Sequence, residues 1–226
     1  MSRVLPKELS IVIPVLNDGP ALHQLLEMLR PLGCELIVAD GGSTDIAVLP
    51  EEVRWLRCAE VGRGQQLASG VACATGDWLW LLHADSVLSP NLLEQLLALD
   101  EPGWGCFDVQ LDSSSKLLAW VARFMNWRSS ITAICTGDQG IFVHRSLLEQ
   151  VGGIPAQPLM EDIELCRRLK RLQRPIRRPG PLLTSARRWQ QAGAWRTIWL
   201  MWSLRMRYWL GATPQALAAR YYGRSK

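Results

Sequence analysis

Four short polar clusters interrupt an otherwise apolar chain: Asp40-Gly41-Gly42-Ser43-Thr44-Asp45, His83-Ala84-Asp85, Thr136-Gly137-Asp138-Gln139-Gly140 and Glu161-Asp162. Their side chains are of the types that hold a hard cation through oxygen, take a proton from an attacking hydroxyl, or accept hydrogen bonds from a polar ligand. Each also has a plain structural reading. Asp and Gly favour an ordinary turn at 40–45, and Asp85 suits the cap of a following helix. Glu161, Asp162 and Glu164 complement the dipole of the helix they open, while 136–140 reads as a Gly-flanked turn before a strand. Their shared placement favours a site, because ligands of open α/β sheets bind beyond the carboxyl ends of the strands.

The elements that must position these clusters follow from hydrophobic periodicity. Leu9–Pro14 is a β-branched strand halted by Asn17-Asp18-Gly19-Pro20, which opens a helix over Ala21–Leu32 with Leu22, Leu25, Leu26 and Leu29 at helical spacing. Strands over Cys34–Ala39 and Val53–Cys58 follow, then a helix over Gly64–Ala74. Trp78–Leu82 is apolar throughout, as a central strand covered on both faces would be, and Pro90–Leu99 is helical again. Strands alternating with helices predict a parallel α/β sheet. Beyond residue 103 the pattern changes to a strand at Gly103–Asp112, a Ser113-Ser114-Ser115 cap and a helix from Lys116 to about Arg128. A strand at Gly140–Arg145, a helix at Glu161–Leu172, a strand at Leu182–Trp189 and helices at Ala192–Leu210 and Pro214–Tyr221 complete the chain. The expected fold is α/β: a Rossmann-like, mostly parallel central sheet flanked by helices, with a basic, Trp-rich helical C-terminal tail.

Composition bounds the function. In 226 residues, 48% hydrophobic and 20% charged positions exclude a disordered chain or a fibrous repeat. The net charge of +4 conceals an asymmetry: residues 1–164 carry 10 Lys/Arg against 21 Asp/Glu, whereas residues 165–226 carry 15 Lys/Arg and no acid. Such a tail predicts an anionic partner. The six cysteines lack any paired or metal-ligand spacing, which argues against a disulfide framework or zinc site and for a reducing cytosol. The N-terminus reads as a buried strand rather than a signal peptide, and no charge-free apolar run reaches about 18 residues. A cytoplasmic location is expected, with at most peripheral contact at the inner membrane face. Five of the 11 tryptophans lie between Trp189 and Trp209. A helix this apolar is buried in the core, in a homo-oligomer interface or in an anionic bilayer surface; the commoner outcome, core or dimer packing, is the expectation. The aromatics form no stacking platform, so nucleic acid is not an expected partner.

Taken in order, the clusters carry a resemblance. Ser10-Ile11-Val12-Ile13-Pro14, Asn17-Asp18 and Val38-Ala39-Asp40-Gly41-Gly42-Ser43-Thr44-Asp45 resemble the opening of a family 2 glycosyltransferase of the GT-A fold. There the first strand ends in Pro-x-x-Asn-Glu and the second in Asp-Asp-Gly-Ser-Thr-Asp. Gly64–Gly70 and Ala74-Thr75-Gly76-Asp77, ahead of Leu81-Leu82-His83-Ala84-Asp85, resemble the approach to that family's Asp-x-Asp metal motif, and Glu161-Asp162 resembles its catalytic Glu-Asp pair. The similarity runs from residue 9 to about 189. His83-Ala84-Asp85, Thr136–Gly140 and Pro158–Leu165 together further resemble a bacterial subgroup known as arsenosugar-biosynthesis or selenodomain-associated glycosyltransferases.

The resemblance implies a GT-A domain over residues 1–190, with a donor-binding half at about 1–100 and an acceptor half at about 101–190, followed by a helical tail at 191–226. It implies an inverting, hexosyltransferase-like enzyme that moves a sugar from a nucleotide diphosphate-sugar to a hydroxyl acceptor by single displacement. Asp162 matches the general base and Glu161 its neighbour. Pro14, Asn17, Asp40, His83, Ala84, Asp85 and Arg188 match nucleotide-sugar contacts, and Asp85 matches the ligand of Mn²⁺ or Mg²⁺. Gly137, Asp138 and Gln139 fall near the acceptor or the transferred sugar. Two departures stand out: His83 replaces the first Asp of Asp-x-Asp, and Gly41 replaces a common second Asp. Other classes fit less well. A nucleotidyltransferase would place a basic Gly-rich loop where Val15-Leu16-Asn17-Asp18 stands, and Gly62-Arg63-Gly64 lacks the third glycine of a dinucleotide fingerprint. The non-enzyme alternative is a catalytically degenerate relative that binds nucleotide sugars or lipid phosphates without turnover, with His83 as its best support.

Overall fold

The computed structural model describes residues 8–89, 91–187, 189 and 193–222. Strands β1 (Leu9–Val15), β2 (Glu35–Asp40), β3 (Val53–Arg57) and β4 (Trp78–Leu81) are joined through helices α1 (Gly19–Leu29) and α2 (Arg63–Cys73). Then follow β5 (Ser86–Val87), α3 (Leu92–Leu97), β6 (Trp104–Asp112), α4 (Lys116–Thr132), β7 (Phe142–His144), α5 (Arg145–Gln150), α6 (Glu161–Leu169) and β8 (Ile176–Ser185). The tail consists of α7 (Ala194–Trp209) and α8 (Pro214–Tyr222).

All eight strands form one sheet in the order β3-β2-β1-β4-β7-β6-β8-β5. The pairings β3–β2, β2–β1, β1–β4 and β6–β8 are parallel, while β7 runs against β4 and β6, and β5 against β8. The carboxyl ends of β1, β2, β4 and β8 therefore lie along one edge of the sheet, where the polar clusters collect.

Period-two alternation divides the core into two layers. Ile11, Ile13, Trp78 and Trp80 face the side on which α1 buries Leu22, Leu25, Leu26 and Leu29. Val12, Leu79 and Leu81 face the other side, with Leu67 of α2 and Leu165 and Leu169 of α6. Each such aliphatic side chain contributes about 1.5–3 kcal/mol by leaving water. Pro14 sits in this central strand without harm, because β1 pairs with β4 only as far as Val12 and its missing N–H falls beyond that neighbour's end.

The structure departs from the sequence expectations in definable places. Helix α1 stops at Leu29 and tightens into a 3-10 turn over Arg30–Leu32, since Pro31 cannot donate to the α-helical ladder. Strand β8 begins at Ile176 rather than Leu182 and ends at Ser185, so Arg187 and Trp189 lie outside it. Pro179 and Pro181 are tolerated because two-residue β5 covers only Leu183 and Thr184 and leaves the first half of β8 at the sheet edge. The short elements α5 and β5 were not anticipated.

The tail packs on the carboxyl-end edge. Leu204 of α7 and Leu217 and Ala218 of α8 are buried with Leu159 and Met160, the residues that introduce α6. Core packing of the helix is thus achieved by leucines and alanine. Of the two packings expected for its tryptophans, the core is not the one found: Trp195, Trp199, Trp202 and Trp209 all stand exposed in the single chain. Among the described residues, no helix is long and apolar enough to cross a membrane.

Candidate active site

The donor-side loop is built around Asp40. Its carboxylate, buried at the end of β2, accepts from the N–H groups of Gly42 (3.0 Å) and Ser43 (2.8 Å) and from Trp55 Nε1 (3.3 Å). Burial pushes the carboxyl up, but the Ser43, Gly42 and Trp55 hydrogen bonds outweigh it and hold Asp40 below its ordinary value. Asn17, in the left-handed region at φ 52°, ties the same loop to the end of β1: its Oδ1 accepts from Thr44 N at 3.0 Å and its own N–H donates to Ser43 Oγ at 2.9 Å. Gln66, buried on α2, donates from Nε2 to Val15 O (2.7 Å) and Ala39 O (2.8 Å). A Cβ on Gly41 would lie 3.2 Å from the Gln66 amide. Asp40 and Asn17 thus shape the pocket wall, and neither lines the cleft beyond it.

That cleft has a volume of about 1040 Å³. Pro14, His83, Ala84, Asp85 and Asp138 line it from the sheet side, and Arg196 and Trp199 of α7 line it from the tail. Asp85 is drawn up from its ordinary value by burial, with His83 opposing and the Asp138 and Asp18 carboxylates reinforcing the shift. His83 Nδ1 lies 3.2 Å from Asp138 Oδ1, while its buried Nε2 has no hydrogen-bond partner.

Asp162 and Glu161, at the start of α6, line a second and much smaller pocket that His83 shares with the main cleft. Asp162 is partly exposed; its Oδ2 accepts from Gly137 N at 3.1 Å and its Oδ1 from Ile163 N at 2.7 Å. A Cβ on Gly137 would lie 2.3 Å from His83 Nε2, so any side chain there would have to displace the imidazole. Glu161 is buried, 3.6 Å from Arg63 Nη1; burial raises its carboxyl and Arg63 opposes the rise. The carboxylates of Asp85 and Asp162 therefore belong to one neighbourhood joined through His83, Asp138 and Gly137, rather than to a single open crevice. Gln139 is a buried strut, donating to Ser129 Oγ at 3.0 Å and Phe107 O at 3.3 Å.

Arg188 lies outside the described residues. Its neighbour Arg187 lines the cleft and donates from Nη2 to both carboxylate oxygens of Asp18, at 2.9 and 2.8 Å. Arg63, Gln66 and Arg187 are site residues that motif reading did not assign, and Asp18 entered it only as part of the Asn17-Asp18 pair. They meet the cleft through contacts far apart in the chain. Among the described residues no group of three His, Cys, Asp or Glu side chains forms a ready metal cage.

Because Asp40 is held in its charged form by the fold, Asp40→Asn is expected to destabilise the protein by about 1–3 kcal/mol near neutral pH. A carboxylate with a lowered folded pKa stabilises above its unfolded value and loses that contribution as pH falls through the folded one. The gap in melting temperature between wild type and variant should therefore close as pH drops below about 4. Thermal denaturation between pH 3 and 7 measures it; a gap that stays constant would contradict the assignment.

Comparison with solved structures identifies the class of fold. The chain superposes on the mannosyltransferase PcManGT from Pyrobaculum calidifontis, in complex with GDP-Man and Mn²⁺, with a TM-score of 0.59 and 19% identity over 80% of this chain and 58% of that one. It superposes equally on S. aureus TarS 1–349 (TM-score 0.59, 14% identity, 79% and 60% of the two chains). For glucosyl-3-phosphoglycerate synthase from Mycobacterium tuberculosis, in complex with Mn²⁺, UDP and glucosyl-3-phosphoglycerate, the TM-score is 0.54 at 19% identity, covering 80% and 71%. The chain thus spans 58% and 60% of the lengths of the first two. The fold is that of the GT-A glycosyltransferases. Residues 10–116, from β1 to the first residue of α4, match the family model for Glycosyl transferase family 2. Comparison with curated protein sequences gives no match.

Proposed function

We propose that this protein is an inverting, metal-dependent, hexosyltransferase-like glycosyltransferase that moves one sugar from a nucleotide diphosphate-sugar to a hydroxyl acceptor. The observation that carries this reading is the cleft at the carboxyl ends of β1, β4 and β8, in which Asp85 and Arg187 line the same space. The nucleotide is placed against Pro14 and the loop that Asp40 and Asn17 hold. Glycosidic cleavage leaves negative charge on the diphosphate. Arg187 supplies fixed positive charge there by exchanging its Asp18 partner for phosphate oxygens.

The donor set fits a divalent cation: one cleft-lining carboxylate at Asp85, an imidazole beside it, and room for diphosphate oxygens and water to complete the shell. Asp85 would hold that ion, which when bound neutralises developing charge as a Lewis acid. An imidazole in place of the first aspartate favours Mn²⁺ over Mg²⁺.

On the opposite face, Asp162 takes the proton of the acceptor hydroxyl as it attacks the anomeric carbon, and its bond from Gly137 fixes one carboxylate oxygen while it does so. Arg63 holds Glu161 beside it. A second reading gives the base role to Asp138, and it is favoured by one observation: Asp138 lines the main cleft, whereas Asp162 lines the smaller pocket behind His83. Gly137, and Gln139 through its strut, keep this loop in place near the acceptor.

Melting the protein with UDP- and GDP-sugars, each with and without Mn²⁺, tests the reading. A true donor at 100 times its dissociation constant stabilises the fold by about 2.7 kcal/mol. We expect such a shift with one base only, and only with Mn²⁺, together with slow release of free sugar. A shift without any turnover across a broad acceptor panel would select the binding-only alternative. No shift with any nucleotide sugar would overturn both.

A further inference from the structure

The tail helix α7 is apolar on two sides, and only one of them is covered. Its inner side packs Leu204 with Leu200, Met201 and Tyr208 alongside. Its outer side carries Trp195, Trp199, Trp202, Met206 and Trp209 at 4-3-4-3 spacing, a single stripe between 55% and 80% exposed. Helix α4 repeats the pattern with Trp120, Phe124, Trp127 and Ile131 at 4-3-4 spacing, and its two tryptophans and Ile131 are 59–65% exposed. The stripes touch: Phe124 lies 6.0 Å from Trp202, 5.9 Å from Trp120 and 5.6 Å from Trp127, centroid to centroid. The result is one continuous aromatic face, and a contiguous exposed apolar surface of this kind marks an interaction site.

Charge points to what covers it. Lys116 and Arg123 on α4 and Arg196 and Arg207 on α7 are exposed on the same two helices, and neither helix contains an acidic residue. A second copy docking through this face would set basic helix against basic helix. A surface combining an apolar interior with negative headgroups meets both requirements, and tryptophan and arginine are the side chains that settle at such a boundary.

We infer that the paired tryptophan stripes of α4 and α7 are a docking face for an anionic lipid bilayer. Trp199 belongs to the stripe and also lines the 1040 Å³ cleft, so docking sets the mouth of the cleft at the lipid surface. The docking face stands whether or not the chain transfers sugar.

The test is flotation of the intact protein with vesicles of phosphatidylcholine alone and of phosphatidylcholine with an equal share of phosphatidylglycerol. The protein should float with the anionic vesicles, at least tenfold less with the neutral ones, and its tryptophan emission should shift to the blue on binding. The triple variant Trp120→Ala, Trp127→Ala, Trp209→Ala should lose at least tenfold in vesicle binding while its melting temperature changes little, because all three side chains are 59–80% exposed and the two on α4 touch only the partly buried Phe124 among aromatic rings. Failure to bind anionic vesicles overturns the inference. So does binding that the triple variant retains in full, which would reduce it to diffuse attraction by basic residues. A light-scattering mass showing a wild-type dimer that the triple variant breaks into monomers would likewise overturn it, by assigning the face to a second copy.

Discussion

Asp85→Ala should lower sugar transfer by about 10³-fold while the melting temperature holds or rises. The activity loss follows from the proposed place of Asp85 against the diphosphate: a cation there supplies several kcal/mol of charge stabilisation, and each 1.36 kcal/mol is tenfold in rate. The stability result comes from the apo fold. Burial disfavours the charged carboxylate, and the Asp138 and Asp18 carboxylates add to the strain, with His83 and a backbone hydrogen bond opposing. Removing the side chain relieves that repulsion at neutral pH and leaves a cleft wall rather than a cavity in the core. An Mn²⁺-dependent melting shift with the donor should vanish in the variant as well. Turnover within tenfold of wild type would remove Asp85 from the mechanism and return it to the role of a turn residue.

The parts of this fold that were legible in the sequence are those in which one residue's environment is set by its near neighbours. The alternating apolar runs of β1, β2 and β4 and the leucine spacing of α1 announce themselves, since each buries a face that its own periodicity defines. Strand β8 was misplaced because Pro179-Gly180-Pro181 reads as a break, and only the sheet's order shows that this stretch lies at an edge. Helix α7 was ambiguous for a different reason. It is apolar on two sides, so its sequence does not say which of them is inward; the residues of α6 and α8 that cover Leu204 decide it.

The site divides in the same way. Asp85, Asp138 and Asp162 could be singled out because each stands in a short polar cluster beside a predicted strand or helix end. The use made of Asp40 could not, since its carboxylate is consumed by Gly42, Ser43 and a tryptophan fifteen positions away. Arg63 joins Glu161, and Arg187 joins Asp18, only because α2 meets α6 and the chain after β8 returns to the end of β1. Ion pairs between segments so distant leave no local pattern. The tail completes the cleft: Arg196, Trp199, Leu200 and Met201 of α7 and Arg220 and Tyr221 of α8 line its tail-side wall.

Asp162→Asn should abolish transfer, by about 10²–10⁴-fold, with little change in donor binding or fold. The substitution is close to isosteric: the amide oxygen can keep the bond from Gly137 N at 3.1 Å, and the bond that Ile163 N makes to the other carboxylate oxygen at 2.7 Å is given up. What it removes is the capacity to take a proton, so the loss belongs in kcat rather than in the affinity for the nucleotide. Asp138→Asn is the informative partner. Its carboxylate is 3.2 Å from His83 Nδ1, and an amide there weakens a charged contact without moving the loop that Gln139 anchors. If Asp162 is the base, the Asp138 variant should retain most turnover and shift mainly the affinity for donor or acceptor. If the order of the two losses is reversed, the proton goes to Asp138 and the residues at the start of α6 act by positioning Gly137 beneath His83. Single-turnover rates of the two variants, measured at saturating donor, separate these outcomes directly, because both substitutions leave the path of the main chain as it is.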